Sequence, residues 1–287
     1  MHFTLGRFDC HILSDGVFWI DGGTVFGVVP KAMWRKMTPV DDENRVPLAL
    51  NCLLIRTPDA LVLVETGIGT KLGEKDRLRH RFTEGALVAE LAKIGVKPAD
   101  VDVVINTHLH FDHCGGNTIR ACPEALRGEG GELRPTFPKA KYVVQKHEWD
   151  DATHPDGLTA SGYDPADFSA IEEAGQLHLV DGTVEVVPGV LCQRTGGHTP
   201  GHQMVLARSL GETVCFPGDI MPGTMWVRPN YITAYDLNQA ETYAAKVKLL
   251  DEAHAGRWLM AWGHDGREPL SRIEKKDDRY AAIPAAP

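Results

Sequence analysis

Cysteine is sparse and unpatterned in this chain of 287 residues: Cys10, Cys52, Cys114, Cys122, Cys192 and Cys215 stand singly, with no CxxC pair. That scatter excludes a disulfide-stapled scaffold and a zinc ribbon, and leaves the thiols as reduced packing groups. No apolar run approaches the roughly 18 residues of a membrane span, and no basic, apolar and small-residue succession marks a secretory leader. The expectation is a cytoplasmic protein with no membrane partner. Cationic charge is also short. Lys and Arg number 30 against 39 Asp and Glu, a formal net charge of −9, which leaves no general basic surface for a phosphate backbone, so no nucleic-acid partner is expected. Low-complexity tracts, charge blocks and short-period repeats are absent, and residues 1–287 read as a single domain. Hydrophobic residues at 43% and charged residues at 24% are ordinary for an acidic globular protein. Histidine is what the chain has in quantity, 13 residues, several of them clustered.

Strand-like and helix-like segments alternate. Leu48 to Ile55 and Leu61 to Val64, separated by Thr57-Pro58-Asp59, read as a hairpin. A helix is expected from near Thr83, with Leu87, Val88, Leu91 and Ile94 at helical spacing and a stop at Gly95. Val101 to Ile105 follows as a buried strand. Lys141 to Gln145, Val184 to Val187, Met204 to Ala207 and Thr213 to Phe216 are further strand candidates. Asn238 with Glu241 forms a partial capping box for a helix to Gly256, and Trp258 to Ala261 reads as a last strand. Mixed sheets covered by helices, an α/β sandwich, are the simplest architecture for this order.

The chemistry concentrates in Thr107-His108-Leu109-His110-Phe111-Asp112-His113. Three imidazoles and a carboxylate within six positions offer the nitrogen and oxygen donors that Zn²⁺, Fe²⁺ or Mn²⁺ accept. If the strand continues through His110, His108 and His110 share a face and can hold one ion, while Asp112 and His113 lie beyond it, near the turn at Gly115-Gly116. Three more donors sit beside glycines just past strand candidates: His198 in Gly196-Gly197-His198-Thr199-Pro200-Gly201-His202, Asp219 after Gly218, and His264 after Gly263.

In this order the residues resemble the metallo-β-lactamase superfamily, whose HxHxDH, His, Asp, His series corresponds to His108, His110, Asp112, His113, His198, Asp219 and His264. The resemblance runs from about Asn51 to His264, and Leu63-Val64-Glu65-Thr66-Gly67 is similar to the family strand that ends in Asp-Thr-Gly, with Glu65 replacing Asp. It implies a four-layer αβ/βα sandwich of two mixed sheets with two divalent ions at one edge, zinc first and iron, manganese or cobalt as alternatives. By the same resemblance His108, His110 and His198 hold the first ion, Asp112, His113 and His264 the second, and Asp219 bridges them. Asp112 and Asp219 become the catalytic carboxylates, Asp112 also taking a proton from the attacking water. His202 and Glu65 become supports behind the donors.

An oxygen bridge at Asp219, where β-lactamases of this fold place Cys, is similar to the thioesterase, lactonase and phosphotriesterase branches. His110 stands where diiron flavoprotein members carry Glu. Val184 to Val190, Thr199-Pro200-Gly201-His202-Gln203 and Trp262-Gly263-His264-Asp265 look most like N-acyl homoserine lactone lactonases and related organophosphate hydrolases. The implied activity is a dinuclear metal-dependent hydrolase that opens a lactone or related ester of a small-molecule substrate. A glyoxalase II-like thioesterase, a mononuclear iron persulfide dioxygenase using His108, His110 and His198, and a non-catalytic metal-binding protein are the alternatives. Lactonases carry a substrate-holding Tyr three positions after the bridging Asp, where this chain has Pro222, so Tyr231 and Tyr235 are the candidate replacements. The irregular stretch Trp149 to Phe168 reads as a lid over the site and Gly22 to Trp34 as the opposite wall, with a plain surface loop or a homodimer contact as the alternative for each.

Overall fold

In a computed structural model, residues 1–83, 85–121 and 131–285 are described; Cys122 lies outside them. The first part of the chain forms β1 (His2–Leu5), β2 (Phe8–Asp21), β3 (Arg45–Arg56), β4 (Leu61–Val64), β5 (Val103–Ile105), β6 (Thr118–Arg120), β7 (Leu133–Pro135), β8 (Lys141–Gln145) and β9 (Leu177–Val180). They hydrogen-bond as a sheet in the order β1-β2-β3-β4-β5-β8-β9, with β6 and β7 as a separate ribbon. The second part forms β10 (Thr183–Val187), β11 (Val190–Arg194), β12 (Gln203–Ser209), β13 (Glu212–Phe216), β14 (Leu259–Ala261), β15 (Leu270–Lys276) and β16 (Arg279–Pro284), paired in sequential order as a second sheet. Both sheets are mixed: β4-β5, β5-β8, β8-β9 and β13-β14 are parallel, and the other pairs antiparallel.

The two-residue period of the strands explains the layers. Val62 and Val64 face Val205, Ala207, Val214 and Phe216 in the core between the sheets, while Leu61 and Leu63 point outward to Leu87, Leu91 and Trp149. On the second sheet Met204 and Leu206 turn outward and meet Leu249, Leu250 and Ala253 of the helix Gln239–Ala255. Each sheet therefore buries both faces, and the product is the αβ/βα sandwich.

Several boundaries differ from the sequence reading. The helix expected from Thr83 begins at Leu87 and runs to Lys93, because the Asp15 carboxylate, from β2, takes the Leu87 N–H at 2.9 Å and fixes the helix start there. Burial lifts Asp15 to about 6 despite the backbone N–H groups around it. The strand before the histidine cluster stops at Ile105, so a shared strand face does not unite His108 and His110. Leu259–Ala261 is followed by two more strands. Trp149 to Thr153 belongs to the helix Lys146–Thr153 and Pro165–Asp167 is a 3-10 turn; the chain between them has no helix or strand.

Candidate metal centre

The carboxyl ends of β4, β5, β13 and β14 open on one edge of the sandwich, the position where strand ends of mixed α/β sheets present loop residues. Glu65 follows β4, His108 and His110 follow β5, Asp219 follows β13 and His264 follows β14. Asp112 and His113 lie on the single-turn helix Phe111–Cys114, and His198 on the turn before β12. All seven sequence-named donors meet there. His108 Nε2 lies 3.0 Å from His110 Nδ1, and His198 Nε2 lies 3.2 Å from the same atom. His264 Nε2 is 3.2 Å from His113 Nε2 and 3.6 Å from Asp112 Oδ2.

The outer ring nitrogens decide what these contacts are. His198 Nδ1–H donates to Asp236 Oδ1 at 2.8 Å, and His264 Nδ1–H donates to the Ala49 carbonyl at 2.7 Å. Thr107 Oγ1 donates to Glu65 Oε1 at 2.5 Å and so receives the His108 Nδ1–H at 3.0 Å. Each ring carries one proton when neutral, so the inner nitrogens of His108, His198 and His264 present lone pairs. Tetrahedral nitrogens at usual zinc–imidazole lengths stand about 3.3 Å apart, and the observed 3.0 and 3.2 Å separations match.

Asp219 sits between the two groups. Its Oδ2 is 3.4 Å from His198 Nε2, and its Oδ1 is 3.2 Å from His264 Nε2 and 3.4 Å from His113 Nε2. Oδ1 is buried without a hydrogen-bond partner of normal geometry. Burial favours the neutral acid, but His113 and His264 outweigh it and hold Asp219 well below the usual carboxylate range. Burial and the neighbouring imidazoles hold His108 and His110 well below the histidine range. At His113 burial acts the same way, and Asp219, Asp112 and Glu65 overcome it and raise the ring well above that range. The donor groups His108, His110 and His198, and Asp112, His113 and His264, fit divalent metal ions.

The supports are equally specific. His202 Nε2 accepts the Asp219 backbone N–H at 3.0 Å, and its Nδ1 is 2.6 Å from Thr195 Oγ1; both nitrogens are committed, so the ring braces the Asp219 turn. Glu65 Oε1 accepts the Thr107 N–H at 3.0 Å and lies 3.4 Å from His113 Nδ1, behind the donors. Pro222 holds His264 through its carbonyl, which accepts the His264 N–H at 2.9 Å.

Two buried carboxylates had no signal in the sequence. Asp236 orients His198 as above and accepts the Thr233 N–H at 2.9 Å. Glu148, wholly buried, accepts the Leu109 N–H at 2.8 Å and the Thr199 hydroxyl at 2.5 Å, tying the His108–His110 loop to the His198 turn, with Tyr163 Oη donating at 3.1 Å. No motif or period marks either residue; only the tertiary fold brings them to the site.

A cavity of about 410 Å³ opens over the donors, lined by His110, Asp112, His198, Asp219 and His264 together with Phe18, Ile20, Leu48, Trp226 and Tyr235. Leu158, Thr159, Ser161 and Gly162 of the expected lid overhang it. Gly162 allows this approach, since a Cβ there would lie 2.7 Å from the His110 ring. Two expectations fail. Tyr231 is buried, its hydroxyl 3.0 Å from Arg228 Nη1, and it does not line the cavity; Tyr235 does. Gly22 to Trp34 forms no wall either: Phe26 stacks between Trp34 and Trp226 at 5.0 and 5.1 Å and backs the wall from behind.

Sandwich and donor set together define a metal-site αβ/βα protein. The chain belongs to the metallo-beta-lactamase superfamily, whose model matches residues 45–264. It is 29% identical over 166 residues to an N-acyl homoserine lactonase of Bacillus sp., covering 54% of this chain and 56% of that one, so the match spans little more than half of the relative. A probable metal-dependent hydrolase from Staphylococcus aureus superposes with a TM-score of 0.87 at 29% identity, over 99% of this chain and 100% of that one. AidC, a dizinc quorum-quenching lactonase in complex with its product N-hexanoyl-L-homoserine, shares the fold with a TM-score of 0.79 at 20% identity, covering 100% and 97% of the two chains.

Proposed function

We propose that the chain is a dinuclear metal-dependent hydrolase that opens a lactone or a related ester of a small molecule. The observation that carries this reading is Asp219, with one carboxylate oxygen beside His198 and the other, unpartnered, beside His113 and His264. Two divalent ions bound there would acidify a water near neutral pH and polarise the scissile carbonyl. His108, His110 and His198 form one donor group and Asp112, His113 and His264 the other, with Asp219 shared. Asp112, at the cavity wall, would receive the proton of the attacking water. Phe18, Ile20, Leu48 and Trp226 exclude water around an apolar substituent, and Tyr235 offers the aromatic hydroxyl nearest the cavity. The activity of the Bacillus relative, an N-acyl homoserine lactonase, supports lactones as the first substrate class.

The test is metal content measured together with turnover. Wild-type protein is expected to hold two ions per chain, zinc or another first-row divalent metal, and to hydrolyse acyl homoserine lactones. Asp219→Ala loosens both ions and lowers kcat/KM by orders of magnitude. One tightly bound iron with sulfur-oxidising turnover would replace this reading by the dioxygenase. A marked preference for S-lactoylglutathione would replace it by the thioesterase.

A further inference from the structure

Imidazoles and a carboxylate also converge far from the cavity. In the β1–β2 hairpin His2 pairs directly with His11, and Thr4 with Asp9. Alternate residues of a strand share a face, so Asp9 and His11 project together, and the cross-strand partner His2 projects beside them. His2 Nε2 lies 2.5 Å from Asp9 Oδ1, His11 Nε2 lies 3.6 Å from Asp9 Oδ2, and the two imidazole centroids are 4.7 Å apart. One donor atom from each residue lies within 4.8 Å of the other two. Phe18, at the cavity wall, stands seven positions beyond His11 on the same strand, roughly 23 Å away at the rise of extended chain.

Burial slightly favours the neutral acid at Asp9, but the His2 hydrogen bond and the charge of His11 outweigh it and keep the carboxyl below its usual range. Burial draws His11 below the usual histidine range, more than Asp9 raises it. Asp9 is thus a carboxylate near neutral pH, and the proton of the His2–Asp9 hydrogen bond is the one that metal binding would displace. β1 is the outer strand of its sheet, and the side chains of His2 and Asp9 are 57% and 43% exposed, which leaves room for solvent to complete a coordination shell.

We propose that this face of the β1–β2 hairpin is a separate metal site, taking one divalent transition ion, copper or zinc, through His2, Asp9 and His11. Two imidazoles and one carboxylate suit this borderline class; magnesium and calcium, which demand all-oxygen shells, are not held.

Equilibrium dialysis of the full chain against zinc, with the protein free of any histidine tag, tests it. At the same free zinc, wild type is expected to bind one equivalent per chain more than His11→Ala or Asp9→Asn. Dialysis against magnesium should show no difference between them. The reading is a subtraction between proteins with the same central cluster, so it stands whether that cluster holds two ions, one or none. His2→Ala alters a largely exposed side chain and gives the same reading should His11→Ala misfold. Equal zinc content in wild type, His2→Ala and Asp9→Asn overturns the proposal and leaves the three residues as a hydrogen-bonded surface cluster.

Discussion

Asp219 and Glu148 are both buried carboxylates, yet their surroundings push them in opposite directions. Burial alone would favour the neutral acid in each. At Asp219 the His113 and His264 rings overcome it; at Glu148 burial prevails over the Thr199, Leu109 and Tyr163 hydrogen bonds, and the pKa is raised. Asp219 is thereby kept as a charged donor, whereas Glu148 acts through its geometry, as a tie between two donor loops. Glu148→Ala leaves the Leu109 N–H and the Thr199 hydroxyl without their acceptor, and the His108–His110 loop is no longer fixed to the His198 turn. The expected cost is roughly 10- to 100-fold in metal affinity, the usual range for groups that orient donors from behind. Glu148→Gln retains an acceptor oxygen for Leu109, and the Thr199 hydroxyl can reverse to accept from the amide. Competition with a chromophoric chelator should therefore rank wild type, Gln and Ala in that order. Equal metal affinity in wild type and Glu148→Ala would remove the tie from the account.

The helix Gln239–Ala255 carries an unusual packing group. Lys246 is 1% exposed, and its ammonium donates to the Tyr231 carbonyl at 2.5 Å, fastening the helix to the segment that also supplies Asp236. Burial lowers its pKa from 10.5 to about 7, with Asp236 partly opposing the shift. Between those values the unfolded chain binds a proton that the folded chain has released, so stability rises with pH from about 7 toward 10.5, by at most about 1.4 kcal/mol per pH unit for one proton. Lys246→Met removes this linkage. In urea titrations at equal metal load, wild type should gain stability relative to the variant between pH 7 and pH 9. A constant difference between them would mean that Lys246 titrates like a solvated lysine. This helix was legible from the sequence because Asn238 caps it, the side chain accepting the Glu241 N–H at 3.1 Å, and β3, β4, β8 and β13 were legible as short apolar runs. β1 and the long β2 were not, since they mix His, Asp, Ser and Gly with apolar residues. The donor candidates could be read because four of them crowd into Thr107–His113 and the other three, His198, Asp219 and His264, sit beside glycines just past strand ends. Glu148, Asp236 and the failure of Tyr231 could not, because each depends on which segment packs against which.

At the scale of the whole molecule, the cavity over the donors is one that no single element builds. Phe18 and Ile20 come from β2, Leu48 from β3, Leu158 from the overhanging loop and Trp226 and Leu237 from the chain between β13 and the last helix. Apolar side chains thus gather around donors that are themselves charged or polar, with Arg79 and His80 the further basic groups on the lining. On the proposed lactone reading, such a cavity would take a carbonyl at the donors and an acyl chain along the aromatic and aliphatic wall. Each methylene moved from water to that wall contributes about 0.8 kcal/mol, close to fourfold in kcat/KM if the contact is kept in the transition state. Acyl homoserine lactones of increasing chain length should therefore rise in kcat/KM until the cavity of about 410 Å³ is filled, and simple γ-lactones without a chain should be the poorest of the series. Leu158→Ala, at an exposed lining residue of the overhanging loop, should flatten the dependence on chain length while leaving turnover of the short γ-lactones nearly unchanged, because the donor candidates His108, His110, Asp112, His113, His198, Asp219 and His264 are untouched. A flat dependence in wild type would show that the apolar wall does not receive the acyl chain, and would direct the search to esters with compact, polar acyl groups.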